Sequence, residues 1–391
     1  MLIALFVLRI FSLLVSCYVN IYVLPVSDSL VFHHMGIDEF NLLVTNPHEY
    51  LVNIFHNPYA HGYSRVFEDS HSFWNNFRTN LIAKMLSLFD FFSFKSFWIN
   101  TLFFNFIVFF GCVALYKVFI NLFPKGFYQL IFCIFLLPSA LFYSSMIHRD
   151  GLIFLSVSMI IYHLFFLIRL HQPTIKRILL IAGFLLLIFL LRNFVLVALL
   201  PALISWIIAS KYPKRALLTF ILVYFFGAIL FFSSGLISPK TNLPYYVSSR
   251  QQSFIEIGKM GNSTVSVVEL KPTIKSFLIN APQAFNLVLM QPYLSRIKSL
   301  QYAPFAFEIL LIEILLILFI FFHKKKVKAD PVIYFCLFFS FSMLMVIGYT
   351  VPIIGAFVRY RSIYFIFLLI PVVSYIEWEK IHKIFGNNSK K

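Results

Sequence analysis

Fifteen carboxylates in 391 residues are few enough for their positions to be informative. Seven of them, Asp28, Asp38, Glu39, Glu49, Glu68, Asp69 and Asp90, fall between residues 25 and 97. A carboxylate beside a hydroxyl nucleophile can take its proton as the new bond forms. Asp38-Glu39 is the pair best placed for this. Adjacent residues need not face the same way, so one of the two is expected to act; an ordinary solvated acidic pair is the competing reading. The basic counterparts are His148-Arg149-Asp150, Arg192 and Arg359-Tyr360-Arg361. A guanidinium is a planar fork that matches phosphate oxygens. Two readings of these arginines stand, binding of a phosphate or pyrophosphate and anchoring at lipid headgroups. Glu308 and Glu313 lie inside an apolar run, where an unpaired charge is costly. Glu308 is expected to pair with an arginine, and Glu313 to be neutral or paired.

Other chemistries find less support. Six of 11 histidines, His33, His34, His48, His56, His61 and His71, share the segment that holds Asp38. Their spacing matches no standard metal motif, and HExxH is absent. No metal site is assigned, a divalent cation shared by Asp38 and a histidine being the form one would take. The four cysteines, Cys17, Cys112, Cys133 and Cys336, sit in apolar runs without CxxC spacing and read as packing residues. There is no Walker loop, no GxGxxG and no cytoplasmic domain for a nucleotide-sugar donor. Asn262 heads a formal glycosylation sequon.

The elements that must position these residues follow from hydropathy. Sixty per cent of the chain is hydrophobic, 12% is charged, and Phe alone supplies 51 residues. A soluble core cannot absorb that much apolar surface, and a bilayer can. The net charge of +17 would suggest nucleic acid in a soluble chain. Here the basic residues cluster in short loops between apolar runs, as topology signals do, so membrane lipids rather than nucleic acid are the expected partners. A span needs about 20 apolar residues. That template predicts ten helices, at 2–24, 98–121, 128–146, 151–168, 178–191, 194–210, 216–236, 303–322, 332–351 and 362–378. The run Leu14-Val15-Ser16-Cys17 has the look of a lipoprotein cleavage box, but Arg9 interrupts the segment, which is read as the first span. Arg192-Asn193 marks a turn between the fifth and sixth spans, or a break in one long helix. With both termini in the cytoplasm, every predicted cytoplasmic loop carries Lys or Arg, the run Lys324-Lys325-Lys326 with Lys328 included. Two long segments, 25–97 and 237–302, then lie outside. Leu81, Ile82, Met85, Leu86, Phe89 and Phe92 repeat near helical spacing, with Lys84 and Asp90 off that face, and Ile274 to Leu289 repeats similarly. Each reads as a surface helix. The whole of 1–391 reads as one membrane domain ending in a cytoplasmic tail, 379–391.

This layout resembles the GT-C superfamily of integral membrane glycosyltransferases, which use polyprenyl-phosphate-linked sugars. The resemblance lies in the all-α polytopic plan with two long extracytoplasmic loops, and in short motifs. Pro138-Ser139, Ser144-Ser145 and His148-Arg149-Asp150-Gly151 are similar to a stretch in uncharacterised bacterial multi-pass members, as is Arg250 with Glu256. Arg359-Tyr360-Arg361 looks like the basic motif that several members carry before a terminal helix. The resemblance implies an acidic base at Asp38 or Glu39, a further acidic residue at Asp150, and substrate contacts from His148, Arg149, Arg192, Arg250, Glu256, Arg359, Tyr360 and Arg361. A clear DxD and a soluble C-terminal domain are absent, which favours a lipid-linked or cell-surface glycan acceptor over a protein.

The expected function is inverting sugar transfer on the outer face of a bacterial cytoplasmic membrane. In it Asp38 activates the acceptor, and Arg359, Arg361 and Arg149 or Arg192 hold the donor phosphate in one cleft. Competing readings are a surface-polysaccharide polymerase or ligase, a transporter or flippase using Glu308 and Glu313, and a non-catalytic subunit.

Overall fold

The computed structural model describes residues 1–23, 27–59, 61–64, 66, 72–170, 174–237, 241–259, 263–296, 302–324 and 329–386. These residues form helices and connecting turns, with two isolated bridges, Thr264 with Ile353 and His323 with Ile376. In chain order the helices are α1 (Leu2–Tyr18), α2 (Asp28–Thr45), α3 (Pro47–Val52), α4 (Phe73–Ser93), α5 (Phe97–Leu122), α6 (Phe127–Ile131), α7 (Pro138–Ser144), α8 (Arg149–Leu170), α9 (Ile175–Lys211), α10 (Ala216–Ile237), α11 (Leu243–Lys259), α12 (Ile274–Leu289), α13 (Ala303–Phe322), α14 (Pro331–Thr350), α15 (Ile354–Tyr375) and α16 (Trp378–Gly386). Among the described residues eight helices are long and apolar enough to cross a membrane. A ninth crossing results if α6 and α7, bent by 47° around a π-helical turn, count together. The chain is therefore an all-α, multi-pass membrane protein.

Three elements depart from the sequence expectation. The third span is broken where Leu137 leaves the helical region ahead of Pro138, since a residue before proline is pushed out of the α conformation. The last long helix starts at Ile354, so Arg359-Tyr360-Arg361 lies inside it and not in a loop between two spans. Arg361 is buried there, with its guanidinium met by backbone carbonyls. Asp90 faces inward on α4 with Ile82, Leu86 and Ser93, while Phe92 is 74% exposed. The buried stripe is thus rotated from the apolar one, and polar partners from neighbouring helices explain the rotation.

Helix α9 has 37 residues. Straight, it would be about 55 Å long at 1.5 Å per residue, nearly twice the hydrocarbon thickness of about 30 Å. It breaks at Arg192, whose φ of −152° and ψ of 85° are not helical.

The chain forms two compact units. The first comprises Met1–Ala114, Leu141–Ile160 and Leu179–Asn193; the second comprises Leu115–Ala140, Ile161–Ile178 and Phe194–Lys391. In the first, α2 packs along α4, and a Cβ at Gly36 would lie 2.8 Å from Leu86 Cβ. In the second, α12 and α15 pack on α14. A Cβ at Gly348 of α14 would overlap the backbone carbonyl of Ala284 on α12. Backbone cannot rotate away as a side-chain tip can, so α12 must retreat. Gly348→Ala is expected to cost about 1–3 kcal/mol, read as a lower thermal midpoint in detergent; an unchanged midpoint would contradict this packing.

Candidate functional site

In the first unit, the two adjacent carboxylates of α2 have different surroundings. Glu39 is bound by Lys84 of α4 at 2.8 Å and by Asn53 Nδ2 at 2.9 Å. Lys84 also donates to Asn53 Oδ1 at 2.7 Å and to the Tyr50 carbonyl, and sits 3.8 Å from the Tyr50 ring centroid. Both Glu39 oxygens are engaged in holding α2 and α3 to α4. Asp38 is exposed, and among the described residues no hydrogen bond or ion pair engages its carboxylate.

The His148-Arg149-Asp150 segment enters α8 against the same helices. His148 Nε2 lies 3.3 Å from Ser29 Oγ of α2. Arg149 donates to Thr79 Oγ1 of α4 at 2.7 Å and lies over the Phe32 ring at 5.2 Å. Asp150, in the first turn of α8, meets Arg192 at 2.9 and 3.1 Å in a two-pronged, largely buried pair. A carboxylate there also suits the positive end of the helix. Three residues read from sequence as ligand contacts thus hold α2, α4, α8 and the break of α9 in register.

Beside this lies a buried polar group that the sequence reading did not single out. Asn100 of α5 donates to Asp90 Oδ1 at 2.7 Å and lies 3.3 Å from His33 Nδ1, while Ser93 donates to the same Asp90 oxygen at 3.1 Å. Burial pushes the His33 imidazole below its ordinary 6.5; Asp90 pulls the other way, and His34 adds to the lowering. A lowered folded value means that the unfolded chain binds the proton more readily. The stabilisation is therefore present above about pH 6.5 and is lost as pH falls through the folded value. Thermal midpoints are expected to decline below that pH, and His33→Asn to flatten the decline.

Arg9, which interrupts the first span, is buried and donates to Asn105 at 2.5 Å, to Ser144 Oγ and the Ser144 carbonyl at 2.9 Å each, and to Cys112 Sγ at 3.3 Å. Its charge is met by neutral acceptors within the first unit, which permits arginine in a membrane helix.

In the second unit, Arg361 is 1% exposed. It donates to the Val288 carbonyl at 2.7 Å and to that of Gln291, and it lies over Phe357 and Phe365. Val288 lies in the last turn of α12 and Gln291 two residues past its end, where a cation is favoured. Arg359 and Arg250 are placed differently. Arg250 of α11 lies over Phe254 at 4.9 Å, Phe254 meets Tyr360 edge-on at 6.4 Å, and Arg359 lies 4.9 Å from the Tyr360 ring and 3.2 Å from its hydroxyl. Two arginines far apart in sequence thus share one aromatic pair. Glu256 is exposed on the same helix as Arg250. Glu308 of α13 accepts from Ser139 N at 2.5 Å and Ser139 Oγ at 2.6 Å, at the start of α7. Its direct partner is a helix start and a serine where an arginine was expected. Glu313 is half-buried.

The structure therefore brings together Asp150 with Arg192, and Arg250 with Arg359 and Tyr360. Asp38 belongs to the first unit, whereas Arg250, Glu256, Arg359, Tyr360 and Arg361 belong to the second. The four cysteines are free and buried. Among the described residues no three His, Cys, Asp or Glu side chains gather as a metal would require. Glu68, Asp69, His71, Asn262, Lys325, Lys326 and Lys328 lie outside the described residues. Comparison of the chain with protein-family models, with curated proteins and with solved structures gives no match.

Proposed function

We propose that the chain is a membrane glycosyltransferase that moves a sugar from a polyprenyl-phosphate-linked donor to a lipid-linked or cell-surface glycan. The observation that carries this reading is the contrast between neighbouring carboxylates. Glu39 is fixed by Lys84 and Asn53, and so anchors the helix on which Asp38 stands exposed. An anchored helix bearing an open carboxylate suits general-base work, because geometry precedes acidity in such a role. Asp38 takes the proton of the acceptor hydroxyl as that oxygen attacks the anomeric carbon. The bond from that carbon to the phosphate oxygen breaks, its electron pair leaves with the polyprenyl phosphate, and the configuration inverts.

Phosphate recognition is assigned within each unit separately. Arg192 and Arg361 are committed to Asp150 and to backbone carbonyls, and serve as positioning residues in this reading. Arg149, bonded to Thr79 beside Phe32, and Arg250 and Arg359 on their aromatic pair are the arginines assigned to anionic groups. The ten-span count follows if α6 and α7 form one crossing and the two arms of α9 form two; with that count the charged loops support a cytoplasmic position for both termini.

The transport reading rests on the buried charges of the spans. Arg9 and Glu308 each have fixed partners inside the protein, which supports anchoring roles for both. The test is release of polyprenyl phosphate by the purified chain in nanodiscs, supplied with synthetic polyprenyl-phosphate hexoses and pentoses and with glycolipid acceptors. Acceptor-dependent release is expected with at least one donor; its absence throughout the panel would sink the reading.

A further inference from the structure

The segment that begins α4 carries a set of aromatic rings that the transfer chemistry does not use. Tyr63 meets Phe73 edge-on at 5.4 Å, Phe73 and Phe77 lie 5.8 Å apart, and Trp74 stacks on Phe77 at 5.8 Å. Phe55 extends the row to Phe77 at 6.4 Å and is 66% exposed. Every residue from Phe73 to Asn80 is half-buried, and Trp74 meets Phe189 of α9 edge-on at 5.1 Å, so among the described residues the rings are backed by a span and partly exposed. Amide and hydroxyl groups lie between them. Asn76 Nδ2 donates to the Tyr63 hydroxyl at 3.0 Å, and that hydroxyl donates to the His56 carbonyl at 2.7 Å. Among the described residues from Phe73 to Asn80 the cation is Arg78, which donates to Asn75 Oδ1 at 2.6 Å.

What such a face fits can be read from the rest of the same helix. At its far end α4 exposes Leu88, Phe91 and Phe92 at 53%, 51% and 74%, followed by Phe94 at 87%, as a surface set against acyl chains would. The first two turns instead alternate rings with amides. Acyl chains have no use for amides, and an anionic polymer would need more positive charge than the single arginine among the described residues from Phe73 to Asn80. A neutral polyol matches both features. The C–H face of a sugar ring is apolar and weakly positive and lies well on an aromatic face, and its hydroxyl edge exchanges hydrogen bonds with amides. Two residues beyond Phe77, Thr79 accepts the hydrogen bond of Arg149, so the helix that carries this face is also tied to the His148-Arg149-Asp150 segment at the start of α8.

We propose that the aromatic–amide face of Phe55, Tyr63, Phe73, Trp74, Asn76 and Phe77 binds a saccharide chain, as the acceptor side of the transfer proposed above, on which this assignment rests. The experiment uses the full chain in nanodiscs and reads Trp74 emission as the difference between wild type and Trp74→Phe. The probes are malto-, cello- and chito-oligosaccharides of increasing length. The expected result is saturable shielding of Trp74 from iodide by at least one series, tightening with length. Phe77→Leu, and separately Phe73→Leu, should weaken it roughly two- to tenfold, the worth of one ring contact, while Asp38→Asn leaves it intact. Absence of shielding by every series overturns the proposal. So does quenching of Trp74 by brominated lipid, which would make the rings an interfacial anchor. The two readings fail separately. Shielding without any sugar transfer would keep the saccharide face and remove the transferase; transfer with an unshielded Trp74 would remove the face alone.

Discussion

Asp38→Asn is expected to lower the turnover of sugar transfer by about 10²–10⁴-fold, the usual worth of a positioned general base, and to leave the fold unchanged. The carboxylate is exposed and makes no hydrogen bond or ion pair among the described residues, and exposed substitutions of that kind usually stay within about 0.5 kcal/mol. The loss should fall on turnover, with the donor concentration for half-saturation little altered, because an acceptor base touches the donor phosphate in neither state. Glu39→Gln gives the contrasting signature. It removes the charged partner of Lys84, itself only 15% exposed, and a hydrogen bond to a charged group is worth about 1.5–3 kcal/mol. Stability should drop, and activity should fall with the folded fraction and recover where the variant is kept folded. Thermal midpoints and turnover measured on the same nanodisc samples separate the cases. Wild-type turnover in Asp38→Asn would remove Asp38 from the chemistry.

How far the sequence carries depends on the range of the interaction. The helix at Ile274–Leu289 is expected from local periodicity at the bounds it takes, because an apolar stripe is a property of its own residues. The membrane class was legible for the same reason. Long-range partners were not. Nothing near Arg361 in the chain announces that it reaches the carbonyls of Val288 and Gln291, so three neighbouring residues read alike as a basic motif when they divide into a buried anchor and a half-exposed cluster. Periodicity puts Asp90 on the wrong face of α4 because its partner Asn100, which also meets His33 of α2, sits on α5. Pairing of Asp150 with Arg192 was concealed too: both belong to short polar interruptions between apolar runs, and such interruptions look like independent surface loops until a contact joins them.

That pair carries the other large expected effect. Arg192→Met is expected to destabilise the chain by about 3–5 kcal/mol, since removing one partner leaves the other buried and uncompensated. Side-chain exposures of 12% for Arg192 and 3% for Asp150 give water little opportunity to substitute. Asp150→Asn should cost a similar amount. The double variant should recover most of the loss, because two neutral groups need no mutual compensation. The backbone gives the pair a further consequence. Arg192 is the residue at which α9 leaves helical geometry, and its guanidinium is tied at 2.9 Å to the first turn of α8. A sequence as apolar as Leu185 to Leu200 has no proline at that point to dictate a break. If the ion pair fixes where the helix breaks, Arg192→Met should lengthen the continuous helical ladder, seen as slower amide exchange across residues 190–195, and Arg192→Lys should restore the break only partly, a point charge lacking the planar fork. A substrate-binding arginine would behave otherwise: its loss would weaken donor binding and leave both stability and the exchange pattern as they were. Thermal midpoint, exchange across the break and donor affinity, measured on the same variants, therefore separate a residue that positions the site from one that touches the ligand.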